Sequence, residues 1–237
     1  IAFAYVFEDF ENAILVNSYN YTGPTTAANL ALSSGINNGA NNTAGGTFSD
    51  RIQLIKGTTG QYAGHGFDSS YAPASGVLNF TGATSVRMAI KTDTALSFNI
   101  SFREGAGVNG GDDEVWSSTT LAVSAGAGWQ VVSFPISGFT ENIYNPSCSP
   151  NCATSGNNVF NLSSIKASAI AFQSQIAAPA NVYIDDIAFV PSVVPTMTYT
   201  KTPFPNPYNQ IYDDFEAALS LNGGAPSRVT TYANTAL

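Results

Sequence analysis

The chain has 237 residues, with 8 Lys and Arg, 16 Asp and Glu, a single His and two Cys. Charged residues make up 10% of it, against about 25% in an ordinary soluble domain, and the net charge of −8 leaves too few cations to neutralise phosphates, which excludes a nucleic-acid binder. No run approaches the roughly 18 apolar residues of a membrane span, and one His with two Cys leaves little for a metal-ligand cluster or a His-based triad, which argues against a conventional enzyme.

The opening segment Val6-Phe7-Glu8-Asp9-Phe10-Glu11 reads as the start of a first strand region. Gly- and Asn-rich turns are expected at 35–46 and 105–111. Between and beyond them, 86–91, 96–103, 129–134, 169–174 and 182–190 alternate apolar and polar residues with period two and predict half-buried strands. Trp129, at the head of one of these runs, is expected in the core. Only 160–166 offers a short helical turn, with Asn161 as its cap. Many short strands with turn signals and no long helix predict an all-β protein, a β-sandwich of jelly-roll type.

The opening segment returns near the end of the chain: Val6–Ala13 matches Ile211–Ala218 at an offset of 205, and the match runs without a gap to Leu237. Between the copies, Pro191, Pro195, Pro203, Pro205 and Pro207 alternate with Thr-rich sequence and favour an extended, semi-rigid spacer. The expected organisation is a sandwich module over 1–190, a Pro/Thr-rich linker over 191–209, and the first-strand region of a second tandem copy over 210–237. A segment as short as the last cannot fold alone. It is expected to pack on another copy of the chain by adding a strand to an exposed edge.

Cys148 and Cys152 lie in a Pro-rich turn and read as a small disulfide clamping a surface loop. That pairing implies an extracellular or cell-surface setting. Sequons at Asn20, Asn41, Asn79, Asn99 and Asn161 permit glycosylation there.

A Glu-Asp-Phe-Glu opening strand, the central Gly128-Trp129-Gln130-Val131-Val132-Ser133-Phe134-Pro135-Ile136, the turn 161–165 and the closing Val182-Tyr183-Ile184-Asp185-Asp186-Ile187 occur in that order. This series resembles the galactose-binding-like jelly rolls of carbohydrate-binding modules, particularly those appended to β-glucanases, over roughly residues 5–190. The resemblance implies a structural calcium where first and last strands meet, at Glu8, Asp9, Glu11, Asp185 and Asp186, with Asp213, Asp214 and Glu216 repeating the opening cluster. It also implies a sugar cleft built from tyrosines and an arginine, which Tyr62 and Arg103 match.

Sugar binding needs aromatic platforms and planar polar groups on one face. Tyr19, Tyr21, Tyr71 and Trp116 join Tyr62 as aromatic candidates, with His65, Gln173 and Gln175 beside Arg103 as polar partners. Asp112-Asp113-Glu114 reads as a solvated acidic turn. Glu104 and Glu114 can be imagined as a glycosidase pair, and nothing in the sequence places them together. Two functions are therefore expected: first, a structural subunit of an extracellular filament or surface fibre whose partners are copies of itself; second, a non-catalytic carbohydrate-binding module with a β-glucan-type ligand.

Overall fold

The computed structural model describes residues 5–23, 30–38, 46–57, 60–73, 76–105, 114–126, 128–142 and 157–192. They fall within the first of two units into which the chain divides, Ile1–Thr196. The expected disulfide, the acidic turn at Asp112 and Asp113, and the repeat over 210–237 lie outside the described residues.

The strands run β1 (Tyr5–Glu8), β2 (Val16–Gly23), β3 (Leu30–Asn38), β4 (Phe48–Lys56), β5 (Tyr62–Asp68), β6 (Ala83–Thr92), β7 (Leu96–Glu104), β8 (Val115–Ser117), β9 (Leu121–Val123), β10 (Gln130–Pro135), β11 (Thr140–Glu141), β12 (Ile165–Phe172) and β13 (Ile176–Pro191). A six-stranded sheet has the order β10-β6-β13-β4-β3 with β1 also on β13. A seven-stranded sheet has the order β11-β8-β7-β12-β5-β2 with β9 also on β7. All pairings are antiparallel. The two sheets pack face to face as a β-sandwich, the architecture expected from the sequence.

Period two explains the packing. Along β7, Leu96, Phe98, Ile100, Phe102 and Glu104 are buried while Ser97, Asn99, Ser101 and Arg103 are partly exposed. Phe rings dominate the interior: Phe7, Phe10, Phe67, Phe98, Phe102, Phe134, Phe172 and Phe189 are all buried. Phe80 stacks on Phe189 at 4.1 Å between centroids, and Phe7 meets Phe102 edge-on at 5.3 Å. Each such ring contributes about 1.5–3 kcal/mol by leaving water.

Three local expectations need correction. Residues 161–164 form a turn and no helix: Ser164 N–H donates to Asn161 O at 3.1 Å, and Asn161 Oδ1 accepts from Ser163 N–H at 3.2 Å. The only helical piece among the described residues is a single 3-10 turn, Ile136–Gly138. The turn expected from Gly35 begins later, because Gly35 and Ile36 still pair with Arg51 and Asp50 in β3. Trp129 is half-buried ahead of β10 and stands outside the core cluster.

Candidate functional site

The outward face of the seven-stranded sheet carries the densest set of exposed aromatic rings. Antiparallel register puts Tyr19 opposite Gly66, Tyr21 opposite Gly64, and Gly23 opposite Tyr62 on β2 and β5. A Cβ placed on any of these three glycines would overlap the ring of the tyrosine facing it. The rings therefore lie flat on the bare backbone of the neighbouring strand. Tyr19 and Tyr62 are 52% and 57% exposed, and Tyr19 and Tyr21 sit 6.1 Å apart.

Next to the rings the floor is made of small side chains. Ala167, Ala169 and Ala171 of β12 lie between Asp68, Gly66 and Gly64 on one side and Arg103, Ser101 and Asn99 of β7 on the other. The far bank is polar: Gln173 Nε2 donates to Asn99 Oδ1 at 2.7 Å, and the Ser101 hydroxyl to Ala169 O at 3.3 Å. On the near bank Asn17 Nδ2 donates to Asp68 Oδ2 at 2.7 Å. Burial raises the Tyr19 phenol above its ordinary range, and the positive charge of Arg103 pulls it partly back, so the arginine's field reaches the ring. Burial, with the neighbouring Tyr19, raises Tyr21 well above the usual tyrosine range. Both phenols stay neutral donors at any physiological pH. The surface thus offers flat apolar faces on one side and amide, hydroxyl and guanidinium groups on the other, which suits the mixed faces of a sugar ring.

Of the candidates named from sequence, Tyr19, Tyr21, Tyr62, Arg103 and Gln173 share this face. His65 does not, because it points inward between Gly64 and Gly66 and is fully buried. Trp116 also faces the interior, opposite Phe102, stacked on Phe160 at 5.5 Å. Tyr71 lies in the loop after β5, where its hydroxyl donates to Asp9 Oδ1 at 2.6 Å. Gln175 is exposed between β12 and β13. Sequence reasoning missed the glycines and alanines, whose small size is what lets the rings lie down.

The acids at the strand ends receive N–H donors. Glu8 Oε1 accepts from Phe10 N–H at 2.8 Å and the Ser70 hydroxyl at 3.0 Å, and its Oε2 accepts from Ser70 N–H at 2.6 Å. Glu11 Oε1 accepts from the N–H groups of Thr47 and Phe48, Asp9 Oδ1 from Glu11 N–H, and Asp185 Oδ1 from Asp186 N–H. Calcium takes roughly six to eight oxygens from carboxylates, carbonyls and water. Among the described residues no three His, Cys, Asp or Glu side chains cluster as a ligand set. Through the bonds above, Glu8 and Glu11 tie loops to the first strand. Burial raises the Glu8 carboxyl, opposed by the donors from Ser70 and Phe10.

Glu104 and Glu114, which the sequence left apart, meet beneath the surface. Their strands pair so that Glu104 N–H donates to Glu114 O at 2.9 Å, and both side chains are buried. Glu104 accepts from Trp116 Nε1 at 2.7 Å and from Asn161 N–H, and Glu114 Oε1 from Asn158 N–H at 2.8 Å. Burial first, then its hydrogen bond to Glu114, push the Glu104 carboxyl up to about 8. Two carboxyls in contact and out of solvent leave no room for a scissile bond, so this is a structural pair.

Solved structures share this sandwich fold. Similar solved structures include a family 11 carbohydrate-binding module from Clostridium thermocellum in complex with a β-1,3-1,4-mixed-linked tetrasaccharide, at 15% identity and TM-score 0.56, covering 81% of this chain and 98% of that one. The family 11 module of a cellulosomal cellulase of the same organism aligns at 17% identity and TM-score 0.51, covering 81% and 96%. At such identities these show the shared sandwich fold. A search of curated proteins finds no match. A family profile decides the relationship: carbohydrate binding domain 30 matches residues 6–191, from the first strand to the end of the last, and the chain belongs to that family.

Proposed function

We propose that this module holds a neutral, β-glucan-type polysaccharide against the outward face of the seven-stranded sheet. The observation that carries the reading is the triple cross-strand pairing of tyrosine with glycine, which lays Tyr19, Tyr21 and Tyr62 flat beside an alanine floor. Stacking on the rings supplies the apolar contact, while Arg103 donates to hydroxyls and Asn99, Ser101 and Gln173 donate to and accept from them. The chain's net charge of −8 disfavours acidic polysaccharides. The module acts without catalysis, since the Glu104–Glu114 pair is sealed inside. A secreted setting follows from a polysaccharide ligand.

Of the two functions read from sequence, family and fold favour the sugar binder. The assembly reading rests on residues 210–237, which lie outside the described residues. Isothermal titration with a mixed-linked β-glucan oligosaccharide tests the proposal. Tyr62→Ala is expected to weaken binding at least about tenfold with the melting temperature unchanged, because Tyr62 is mostly exposed. Equal affinity of wild type and Tyr62→Ala would overturn this site.

A further inference from the structure

Directly behind the tyrosines, four strands are joined by one chain of polar side chains. His65 of β5 has Nδ1 at 2.8 Å from Asn20 Oδ1 of β2, and the same oxygen accepts from the Ser34 hydroxyl of β3 at 3.0 Å. On the other side, His65 Nε2 lies 3.1 Å from Asp50 Oδ2 of β4. His65 and Asp50 are both 0% exposed. Neither Asp50 oxygen nor His65 Nε2 makes an aligned hydrogen bond, so the two side chains are close neighbours without one.

The position of this chain gives it a consequence. β2 is the edge of its sheet, held laterally by β5 alone, and its register is broken between Val16 and Tyr19. Asn20 stands between Tyr19 and Tyr21 in sequence, with its side chain on the opposite face of the strand. A one-residue slip of β2 would turn both rings into the interior. The Asn20–His65 contact pins the strand at that point, and Ser34 and Asp50 extend the pin to β3 and β4 of the facing sheet.

We infer that His65, backed by Asp50, is a positioning residue that holds Asn20 and thereby keeps Tyr19 and Tyr21 laid out for the ligand. Nδ1 reaches Asn20 Oδ1 and Nε2 reaches Asp50 Oδ2, so both nitrogens of the ring are fixed in place between the two sheets. β2 and β3 offer Asn20 and Ser34, β12 offers Ile170 opposite, Phe67 packs at 5.4 Å, and Lys56 at the far end of β4 donates instead to Gln173 O at 3.0 Å.

This inference rests on the tyrosine face being the ligand site, and its test separates the two. The rings of Tyr19 and Tyr21 are followed by NMR in the ligand-free protein, and binding of a mixed-linked β-glucan tetrasaccharide is measured by calorimetry, for wild type, Asn20→Ala and His65→Gln. Asn20→Ala, a change at an exposed position, should displace the tyrosine resonances and weaken binding about fivefold, the value of one hydrogen bond. His65→Gln, which keeps a side-chain donor toward Asn20, should displace them less and weaken binding less. Tyrosine resonances unmoved in both variants, or Asn20→Ala binding as wild type does, would overturn the inference. Displaced tyrosine resonances in a protein that binds no glucan would uphold the positioning role and discard the ligand.

Discussion

Tyr21 lies across Gly64 so closely that a single methyl group on the glycine would occupy the space of the ring. Replacing glycine by alanine in a strand ordinarily costs little and often helps, since it reduces the freedom of the unfolded chain. Gly64→Ala should therefore leave the fold intact and lift Tyr21 off the sheet. The expected loss is about tenfold in glucan affinity, read by titration calorimetry beside an unchanged circular dichroism spectrum. Retained affinity would mean that the flat seating of the ring is irrelevant to binding.

Glu104 links the module's stability to pH. Its folded-state carboxyl is raised from 4.5 to about 8, so the folded protein prefers the protonated form. The stability it contributes is fully present below about 4.5 and is lost as pH rises through about 8. The melting temperature should accordingly fall between pH 6 and pH 9, by about 2–4 °C for each kcal/mol lost in a module of this size. Glu104→Gln keeps an acceptor for Trp116 and cannot ionise. Its melting temperature should be flatter over the same range, as measured by scanning calorimetry.

At the mouth of the first strand, Glu11 Oε1 receives two backbone N–H groups, from Thr47 at 2.7 Å and Phe48 at 3.0 Å. Glu11→Ala leaves both without an acceptor and should destabilise the module by about 1.5 kcal/mol in urea unfolding. The same reading predicts that EDTA and calcium give superimposable melting curves. A rise in melting temperature with added calcium would show that these carboxylates hold a cation in solution.

Every strand of the described sandwich lies between Tyr5 and Pro191. A chain ending at 192 is expected to melt at the same temperature as the full chain and to bind glucan equally, by calorimetry and titration. Sedimentation of the two chains side by side tests the separate idea that 210–237 recruits a second copy. Identical sedimentation would remove it.

Strands that alternate strongly are legible in their own residues. Val86, Met88 and Ile90 in β6 and the odd-even pattern of β7 announce one buried and one wet face. β2 and β5 carry no such signal: β2 is polar on both faces, and β5 sets Gly64 and Gly66 on either side of His65. Their pairing makes sense only when tyrosine rings cover glycine backbone, and cross-strand pairing is not written in either segment alone. Parity is hidden for the same reason. Tyr62 and His65 are three residues apart and so face opposite ways in a strand, yet which of them meets solvent depends on what β12 places behind them. Glu104 and Glu114 are joined by a backbone hydrogen bond between residues ten apart, which spacing in the chain does not reveal.

The last strand shapes how the module bears load. β1 runs antiparallel to the end of β13, with Tyr5 beside Phe189, so the polypeptide enters and leaves at the same corner. A pull on the flanking chain would open the β1–β13 ladder like a zipper, one bond at a time, instead of shearing all its bonds together. Tension along the polypeptide would thus draw Phe7 of β1 out of the Phe-rich interior before the later strands are loaded.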